Sequence, residues 1–316
     1  MHVARFTRSP GAPVELGVVT PEGVAPFGGT LAALLGLEVD EIRRRCDAAL
    51  AAVPGDRRLE IGSCTFLPPV EARMEVWAAG VTYERSRDER MRESAAAASV
   101  YDEVYAADRP EIFFKSVPWR VVCDGGPIGV RSDSAVDVPE PELALVVGAS
   151  GQVVGYTVCN DVSSRSIEGE NPLYLPQAKI YAGSCALAAL IRPAWEIADP
   201  YALGIAISIE REGTRVYEAE GSTSQLHRRL DDLVSWLGRE IAFPDGVVLS
   251  TGTSLVPDLP FSLRPGDVVR IDVDEVGKLE SRVVDARELM AERDSSRSAA
   301  APSARGSGNR STASKA

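Results

Sequence analysis

Short strand-like segments separated by turn residues dominate the chain from about residue 75 onward. Examples are ELALVVG, QVVGYTV, LGIAISIE, TRVYEAE and DVVRIDV, which do not alternate regularly with helical patterns. A doubly wound parallel sheet needs that alternation, so a mixed or antiparallel β-architecture with peripheral helices is favoured. Glycines in EREGTRV and VDEVGKL predict two tight hairpin turns. We therefore predict an α+β fold composed mostly of strands.

The pattern also divides the chain into three parts. Residues 1–72 combine strand-like pieces with two helical patterns, and they are predicted to form a small N-terminal α+β domain. Residues 73–290 are predicted to form the catalytic domain, and the low-complexity segment 291–316 is expected to be disordered. Within the catalytic domain we predict two helices, one between residue 85 and Pro110 and one over SQLHRRLDDLVSWLGREI.

Composition excludes several classes of partner. The net charge of −12 disfavours nucleic acid and anionic membranes as ligands. No apolar run reaches the length of a membrane helix, and the N-terminus lacks the apolar centre of a signal peptide. Five cysteines without CxxC spacing fit buried thiols in a reducing compartment. We expect a cytoplasmic protein that acts on a small molecule.

The segment VPEPELALVVG carries the clearest chemical signal. Glu140 and Glu142 alternate with prolines, and in an extended chain residues i and i+2 point to the same side. Asp161 follows another apolar strand in GYTVCNDVSSR. Three carboxylates would form a hard oxygen site suited to Mg²⁺, with Mn²⁺ or Ca²⁺ as possible substitutes. The alternative from spacing alone is a solvated acidic edge followed by an Asn-Asp turn.

Five segments, in order, resemble the fumarylacetoacetate hydrolase superfamily. They are GVTYERS, RPEIFFK, PEPELALVV, GYTVCNDVSSRSIEGENPLYLPQAKIYAG and STGTSLVP, within residues 75–280. The segment 170–179 is most similar to the 2-keto-3-deoxy-D-arabinonate dehydratases of that superfamily. The resemblance implies a strongly bent mixed β-sandwich or roll behind a small N-terminal domain, assembled as a homodimer or homotetramer. It also implies that Glu140, Glu142 and Asp161 bind the metal and that Lys179 is an active-site lysine.

One departure from the superfamily pattern bears on the type of reaction. Its hydrolases and decarboxylases typically activate water with a histidine and a glutamate in the loop after the first catalytic strand. Here that loop has no histidine, and the chain has only His2 and His227. His227 is expected to be a surface residue of an amphipathic helix. Dehydration needs no activated water, so this departure favours a hydro-lyase. The resemblance implies that its reaction converts a 2-keto-3-deoxypentonate to 2,5-dioxopentanoate in oxidative pentose degradation.

Roles for individual side chains follow from that reaction. Lys179 is the first candidate for the base, although a structural ion pair with nearby carboxylates is the alternative. Glu111 is the next candidate, either to assist departure of the C4 hydroxyl or to shuttle protons. Arg85 could bind the substrate carboxylate through two donors, and Ser86 and Thr253 are further candidates for substrate binding. Lys115 alternates with Phe113 in the segment RPEIFFK, and it could simply be a cation on the face of a strand.

Two other functions stay open at this point. An acylpyruvate hydrolase or oxaloacetate decarboxylase of the same superfamily would use the same metal and the same chelation by a 2-oxo acid. A protein of another class would bind a metal or ligand without catalysis. The charged helix before Pro110 could be either a lid near the site or a surface for protein interaction, and a solvated face is the commonest meaning of such a run.

Overall fold

A computed structural model describes residues 1–84 and 98–291, and strands outnumber helices throughout. The strands are β1 His2–Thr7, β2 Glu15–Thr20, β3 Gly23–Phe27, β4 Thr65–Leu67, β5 Val76–Gly80, β6 Glu111–Ser116, β7 Val122–Cys123, β8 Pro127–Val130, β9 Asp137–Val138, β10 Pro141–Val147, β11 Val153–Asp161, β12 Ser163–Ser164, β13 Cys185–Leu187, β14 Leu190–Pro193, β15 Gly204–Arg211, β16 Thr214–Ser222, β17 Val247–Ser250, β18 Val268–Val273 and β19 Gly277–Asp285.

The helices are short and lie between these strands. The α-helices are α1 Leu31–Leu35, α2 Val39–Ala52, α3 Ala98–Ala106, α4 Arg165–Glu170, α5 Leu175–Lys179 and α6 Leu230–Leu237. Single 3-10 turns cover Gly55–Arg57, Ile61–Ser63, Pro118–Arg120, Pro172–Tyr174, Ala194–Glu196 and Thr223–Gln225. None of the helices within the described ranges is long and apolar enough to cross a membrane.

The strands form two large sheets and one small one. A 12-stranded sheet contains the order β3-β2-β1-β14-β11-β10-β17-β5-β6, and a 5-stranded sheet has the order β16-β15-β18-β19-β8. Most neighbours are antiparallel, but β17 with β5, β13 with β7 and β19 with β8 are parallel. The predicted mixed, mostly β architecture is therefore confirmed, as are both predicted hairpins.

The central strand β10 is buried along its whole length. Leu143 and Leu145 belong to the core between the two large sheets, whereas Ala144 and Val146 belong to a second core beneath α1 and α2. Side chains of a strand alternate between faces, so a strand covered on both sides reads as a continuous apolar run. This burial explains why ELALVVG lacks a polar face.

The N-terminal strands continue the larger sheet, because β1 pairs with β14. Helix α2 contributes Ile42, Cys46 and Ala49 to the same core as Ala144 and Val146. Whether 1–72 is a separate domain from 73–290 stays a prediction. The tail was predicted to be disordered from residue 291 to residue 316. All of these residues except Ala291 lie outside the described part of the chain.

The helix predicted over residues 224–241 is shorter than expected. It spans Leu230–Leu237. Thr223–Gln225 is a 3-10 turn, and the segment 226–229 that follows it is extended at both ends, with Leu226 bridging to Tyr83. Arg228 is buried and donates hydrogen bonds to the carbonyl oxygens of Val104, Ala107 and Asp108 at the end of α3. These tertiary contacts hold the segment extended, although its leucine spacing is helical. Arg228 thereby satisfies carbonyls that a helix end leaves without intrahelical partners.

Candidate functional site

The register of two strands brings three carboxylates together. Pro141 of β10 pairs with Asn160 of β11, and the amide of Asp161 donates to the carbonyl oxygen of Glu140 at 3.0 Å. Asp161 therefore lies opposite Glu140, and Glu142 is two residues further along the same face. One carboxylate oxygen from each residue lies within 4.8 Å of the others, and all three side chains are buried. We call these three residues the carboxylate triad.

Glu142 accepts hydrogen bonds from the end of β17 and from the turn that follows it. Ser250, the last residue of β17, donates its hydroxyl to Glu142 Oε2, and the amide of Gly252 donates to the same oxygen at 2.8 Å. Burial and the neighbouring carboxylates of Asp161 and Glu140 raise the pKa of Glu142 well above its usual value, against the effect of the Ser250 hydrogen bond. Concentrated negative charge of this kind favours a bound cation.

Gly252 has a positive φ of 87°, and its environment has no room for a side chain. A Cβ atom there would lie 2.0 Å from Thr82 Oγ1, which itself donates to the carbonyl oxygen of Thr251 at 2.6 Å. Only glycine lets the backbone approach this closely, and the approach brings its amide to Glu142.

Two buried lysines form ion pairs with the triad. Lys179, at the end of α5, donates to Glu140 Oε2 at 2.7 Å and to Asp161 Oδ2 at 3.1 Å. Lys115 of β6 forms an ion pair with Asp161 Oδ1 and donates to the carbonyl oxygen of Lys179 at 2.6 Å. The sequence left the role of Lys115 open, and the structure brings it into the same charge network. The ion pairs of Lys179 match the alternative considered for it, and a role as base stays a proposal.

Arg165 adds a third cation that the sequence analysis did not assign. It is the first residue of α4, and its Nη2 lies 3.3 Å from Glu140 Oε1. Its Nε lies 4.0 Å from Oε2 of Glu168, another buried carboxylate that was not predicted. Both residues lie in the segment GYTVCNDVSSRSIEGENPLYLPQAKIYAG. The sequence does not reveal that Arg165 and Glu168 are buried, because charged residues on a short helix usually face solvent.

Glu111 lies at the edge of a small cavity next to this network. It begins β6, opposite Gly80 of β5, where a Cβ atom would lie 2.0 Å from Glu111 Oε2. The cavity has a volume of about 230 Å³, and Glu168 lines it together with Glu111. The structure thus places the predicted Glu111 beside a cavity that also contacts the helix carrying Arg165.

Of the three candidates for substrate binding, only Thr253 lies within the described residues. Arg85 and Ser86 lie outside the described residues. Thr253 is buried, and its hydroxyl accepts a hydrogen bond from the amide of Leu255 at 3.0 Å. The same hydroxyl donates to the carbonyl oxygen of Leu255 at 3.5 Å, so both of its hydrogen-bonding capacities are used within the turn.

Neither histidine is bonded to the triad. His227 is exposed, as predicted, and it stacks on Tyr105 of α3 with ring centroids 4.1 Å apart. Its position on a helix was wrong, since it precedes α6, and its amide donates to the carbonyl oxygen of Thr82. His2 contacts the carbonyl oxygen of Val276 at 3.0 Å. Among the hydrogen bonds and ion pairs of the described chain, none joins a histidine ring to Glu140, Glu142 or Asp161.

The donor set of the triad fits a hard divalent cation. Three carboxylates supply only oxygen ligands, their oxygens lie close together, and burial excludes competing bulk water. Three cations, Lys115, Lys179 and Arg165, form ion pairs with Glu140 or Asp161 of the triad. The predicted convergence of Glu140, Glu142 and Asp161 is therefore observed, while their role as metal ligands stays a proposal.

Comparison with known proteins agrees with this arrangement. Residues 75–284 match the sequence model described as fumarylacetoacetate (FAA) hydrolase C-terminal. A probable 2-keto-3-deoxyxylonate dehydratase of Haloferax volcanii is 50% identical over 215 residues, covering 68% of this chain and 73% of the relative. A 2-dehydro-3-deoxy-D-arabinonate dehydratase of Saccharolobus solfataricus is 43% identical over 236 residues, covering 74% and 79%.

A solved structure gives the same assignment. A 2-keto-3-deoxy-D-arabinonate dehydratase complexed with magnesium and 2,5-dioxopentanoate superposes with a TM-score of 0.76 at 32% identity, covering 90% of this chain and 99% of that one. The match of the family sequence model spans most of the chain, and its residues include the whole carboxylate triad. The chain belongs to the fumarylacetoacetate hydrolase family.

Proposed function

We propose that this protein is a Mg²⁺-dependent hydro-lyase that converts a 2-keto-3-deoxypentonate to 2,5-dioxopentanoate. One observation carries the proposal: the ammonium group of Lys179 lies between Glu140 and Asp161, two of three buried, convergent carboxylates. This arrangement combines a metal site with a lysine that can exchange protons beside it. The similarity to relatives named as dehydratases of 2-keto-3-deoxy acids supports the same reaction.

Glu140, Glu142 and Asp161 would hold the Mg²⁺ ion. When bound, the ion would stabilise negative charge that develops on the carbonyl and carboxylate oxygens of a 2-oxo acid. The relative solved with magnesium and 2,5-dioxopentanoate supports the choice of metal. Mn²⁺ and Ca²⁺ remain possible substitutes, because they accept the same oxygen ligands.

Lys179 would remove a proton from C3 of the substrate. Lys115 restricts the position of that base, since its ammonium donates to the carbonyl oxygen of Lys179 and pairs with the far oxygen of Asp161. Arg165 holds the other oxygen of Glu140. The carboxylates and the base are therefore fixed before substrate binds, which lowers the cost of reaching the reactive geometry.

Glu111 would assist departure of the hydroxyl group from C4. Loss of the C3 proton and the C4 hydroxyl as water leaves a double bond between C3 and C4. Transfer of a proton from C5 to C3 then gives the enol of the terminal aldehyde, and this enol tautomerises to 2,5-dioxopentanoate. No external water or redox partner is needed, which agrees with a site in which no described histidine reaches the triad.

Arg85, Ser86 and Thr253 are proposed to bind the substrate carboxylate. Thr253 is supported by its burial in the turn after β17, one residue from the amide that holds Glu142. Assembly as a homodimer or homotetramer and a cytoplasmic location are also proposed, and they are supported by family resemblance and by composition rather than by a contact in this chain.

Identification of the product tests the proposed reaction. Purified protein with Mg²⁺ is incubated separately with the 2-keto-3-deoxypentonate enantiomers, oxaloacetate and an acylpyruvate, and the products are identified by proton NMR. We expect an aldehyde signal of 2,5-dioxopentanoate from at least one pentonate and no pyruvate from the other compounds. Release of pyruvate from oxaloacetate or the acylpyruvate, without any aldehyde from the pentonates, would instead support the hydrolase or decarboxylase alternative. Metal binding without any turnover would support a binding protein.

A further inference from the structure

We propose that Glu168 selects substrates by the chemistry of their distal end, favouring a neutral hydroxylated tail over a second carboxylate. This inference rests on the proposed function, because it assumes that the 2-oxo acid end of the substrate lies at the carboxylate triad. It assigns a specificity role to a residue that the proposed reaction does not use.

Glu168 is joined to the carboxylate triad through Arg165. Helix α4 begins at Arg165, shortly after Asp161, and Glu168 follows one helical turn later. Arg165 Nη2 lies 3.3 Å from Glu140 Oε1, and its Nε lies 4.0 Å from Glu168 Oε2. A single guanidinium group therefore links Glu168 to a proposed metal ligand.

Glu168 also lines a small cavity. Its volume of about 230 Å³ is below the usual range of about 300–1,000 Å³ for drug-sized ligands, so it fits a short tail. Val104, Pro110, Pro172 and Leu175 form apolar walls, and Glu111 and Glu168 supply its acidic groups. Arg109 also borders the cavity, but it is exposed and its guanidinium stacks over the ring of Trp236 at 4.5 Å.

Two carboxylates, those of Glu111 and Glu168, give this cavity its chemical preference. Glu168 is only 2% exposed, so its charge, which Arg165 compensates from a distance of 4.0 Å, acts in surroundings with little water to screen it. A carboxylate accepts hydrogen bonds from hydroxyl groups strongly, whereas it repels another carboxylate. The cavity is therefore suited to the hydroxylated C4–C5 end of a sugar acid and unsuited to the distal carboxylate of a dicarboxylic 2-oxo acid.

Two ligands of equal length test this selection. 5-Hydroxy-2-oxopentanoate and 2-oxoglutarate differ only in whether the tail ends in a hydroxyl or a carboxylate, and their binding to the Mg²⁺-loaded full chain is measured by calorimetry. We expect the wild-type protein to bind the hydroxylated ligand at least about tenfold more tightly, the scale of one hydrogen bond to a charged group. Glu168→Gln should reduce this preference by about tenfold.

A matched control and a second variant complete the experiment. Glu170 is exposed on the same helix, so Glu170→Gln removes the same charge and should leave the preference unchanged. Glu168→Asp retains the charge and should still reject 2-oxoglutarate, which tests the proposal if Glu168→Gln does not fold. Equal affinity of the wild-type protein for both ligands, or an unchanged ratio in folded Glu168→Gln, would overturn the proposal.

The outcome can be separated from the proposed reaction itself. Dehydration of the pentonates by the wild-type protein is measured in parallel. A protein that turns over a pentonate but shows no tail preference would refute only the role of Glu168. A protein that prefers the hydroxylated ligand but forms no 2,5-dioxopentanoate would refute only the reaction.

Discussion

The backbone amide of Asp161 donates a hydrogen bond to the carbonyl oxygen of Glu140 at 3.0 Å. This bond continues the antiparallel ladder between β10 and β11 past Pro141 and Asn160. The carboxylate triad is therefore positioned by strand pairing rather than by a free loop. Sites on regular elements hold their geometry closely, which a metal with strict coordination geometry requires.

Replacing Lys179 by methionine should abolish turnover while leaving the metal site. We expect kcat to fall by about 10²–10⁴-fold, the usual contribution of a positioned general base. Mg²⁺ affinity measured by calorimetry should be retained, because the three carboxylates are intact. Lys278→Met is the matched control, since Lys278 is exposed on β19 and pairs with Asp272. A Lys179→Met variant with wild-type kcat would exclude Lys179 as the base.

Adding a methyl group at Gly252 should damage both stability and metal binding. Its Cβ atom would clash with Thr82 Oγ1 and displace the amide that donates to Glu142. We expect Gly252→Ala to lose about 3 kcal/mol of unfolding free energy in urea, as for other severe steric changes. Gly266 also has a positive φ but has no atom within 4 Å of a Cβ position, so Gly266→Ala should lose only about 1 kcal/mol. Equal losses would show that backbone strain alone, rather than the clash, sets the cost.

His227 should be dispensable for the reaction. It stacks on Tyr105 and makes no hydrogen bond or ion pair with the triad within the described part of the chain. His227→Phe retains an aromatic ring for stacking but cannot transfer a proton. We expect its kcat to stay within about threefold of wild type, because general acid–base groups contribute at least about 100-fold. A loss of that larger size would favour the hydrolytic alternative, in which a histidine activates water.

The pH dependence of stability should report on Asp137. Burial raises its pKa from 3.8 to about 6, so between these pH values the folded state binds more protons than the unfolded state. The contribution of this group to stability is therefore greatest below pH 3.8 and declines as pH rises to about 6. Asp137→Asn should remove that decline when wild type and variant are unfolded in urea at several pH values with EDTA present. Parallel pH profiles for the two proteins would contradict the raised pKa.

The alternation of Glu140 and Glu142 on one face was predictable, because side-chain direction along an extended chain is a local property. The position of Asp161 opposite Glu140 was not predictable, because the pairing of β10 with β11 depends on the whole sheet. The apolar runs of both strands gave no polar face from which to read the register. The resemblance to the family identified Asp161 as the third carboxylate, which residue spacing alone had left open.

Buried charges were the least predictable part of the site. Lys115, Arg165 and Glu168 look like surface residues in the sequence, and each is buried because the charges compensate one another. The predicted start of helix α6 was wrong for a related reason. Its leucine spacing continues back to Leu226, but Arg228 is drawn to the carbonyl groups at the end of α3, and this long-range contact outweighs local helix preference.

The most direct test of the account is the Mg²⁺ dependence of 2,5-dioxopentanoate formation. Protein treated with EDTA and then dialysed is given a 2-keto-3-deoxypentonate, and the aldehyde is followed through a coupled dehydrogenase during titration with Mg²⁺. We predict no turnover without metal, saturable recovery with Mg²⁺, and at least about a tenfold higher Mg²⁺ requirement for Glu142→Gln. Full turnover by the metal-free protein, or no aldehyde from the Mg²⁺-saturated protein, would contradict the account.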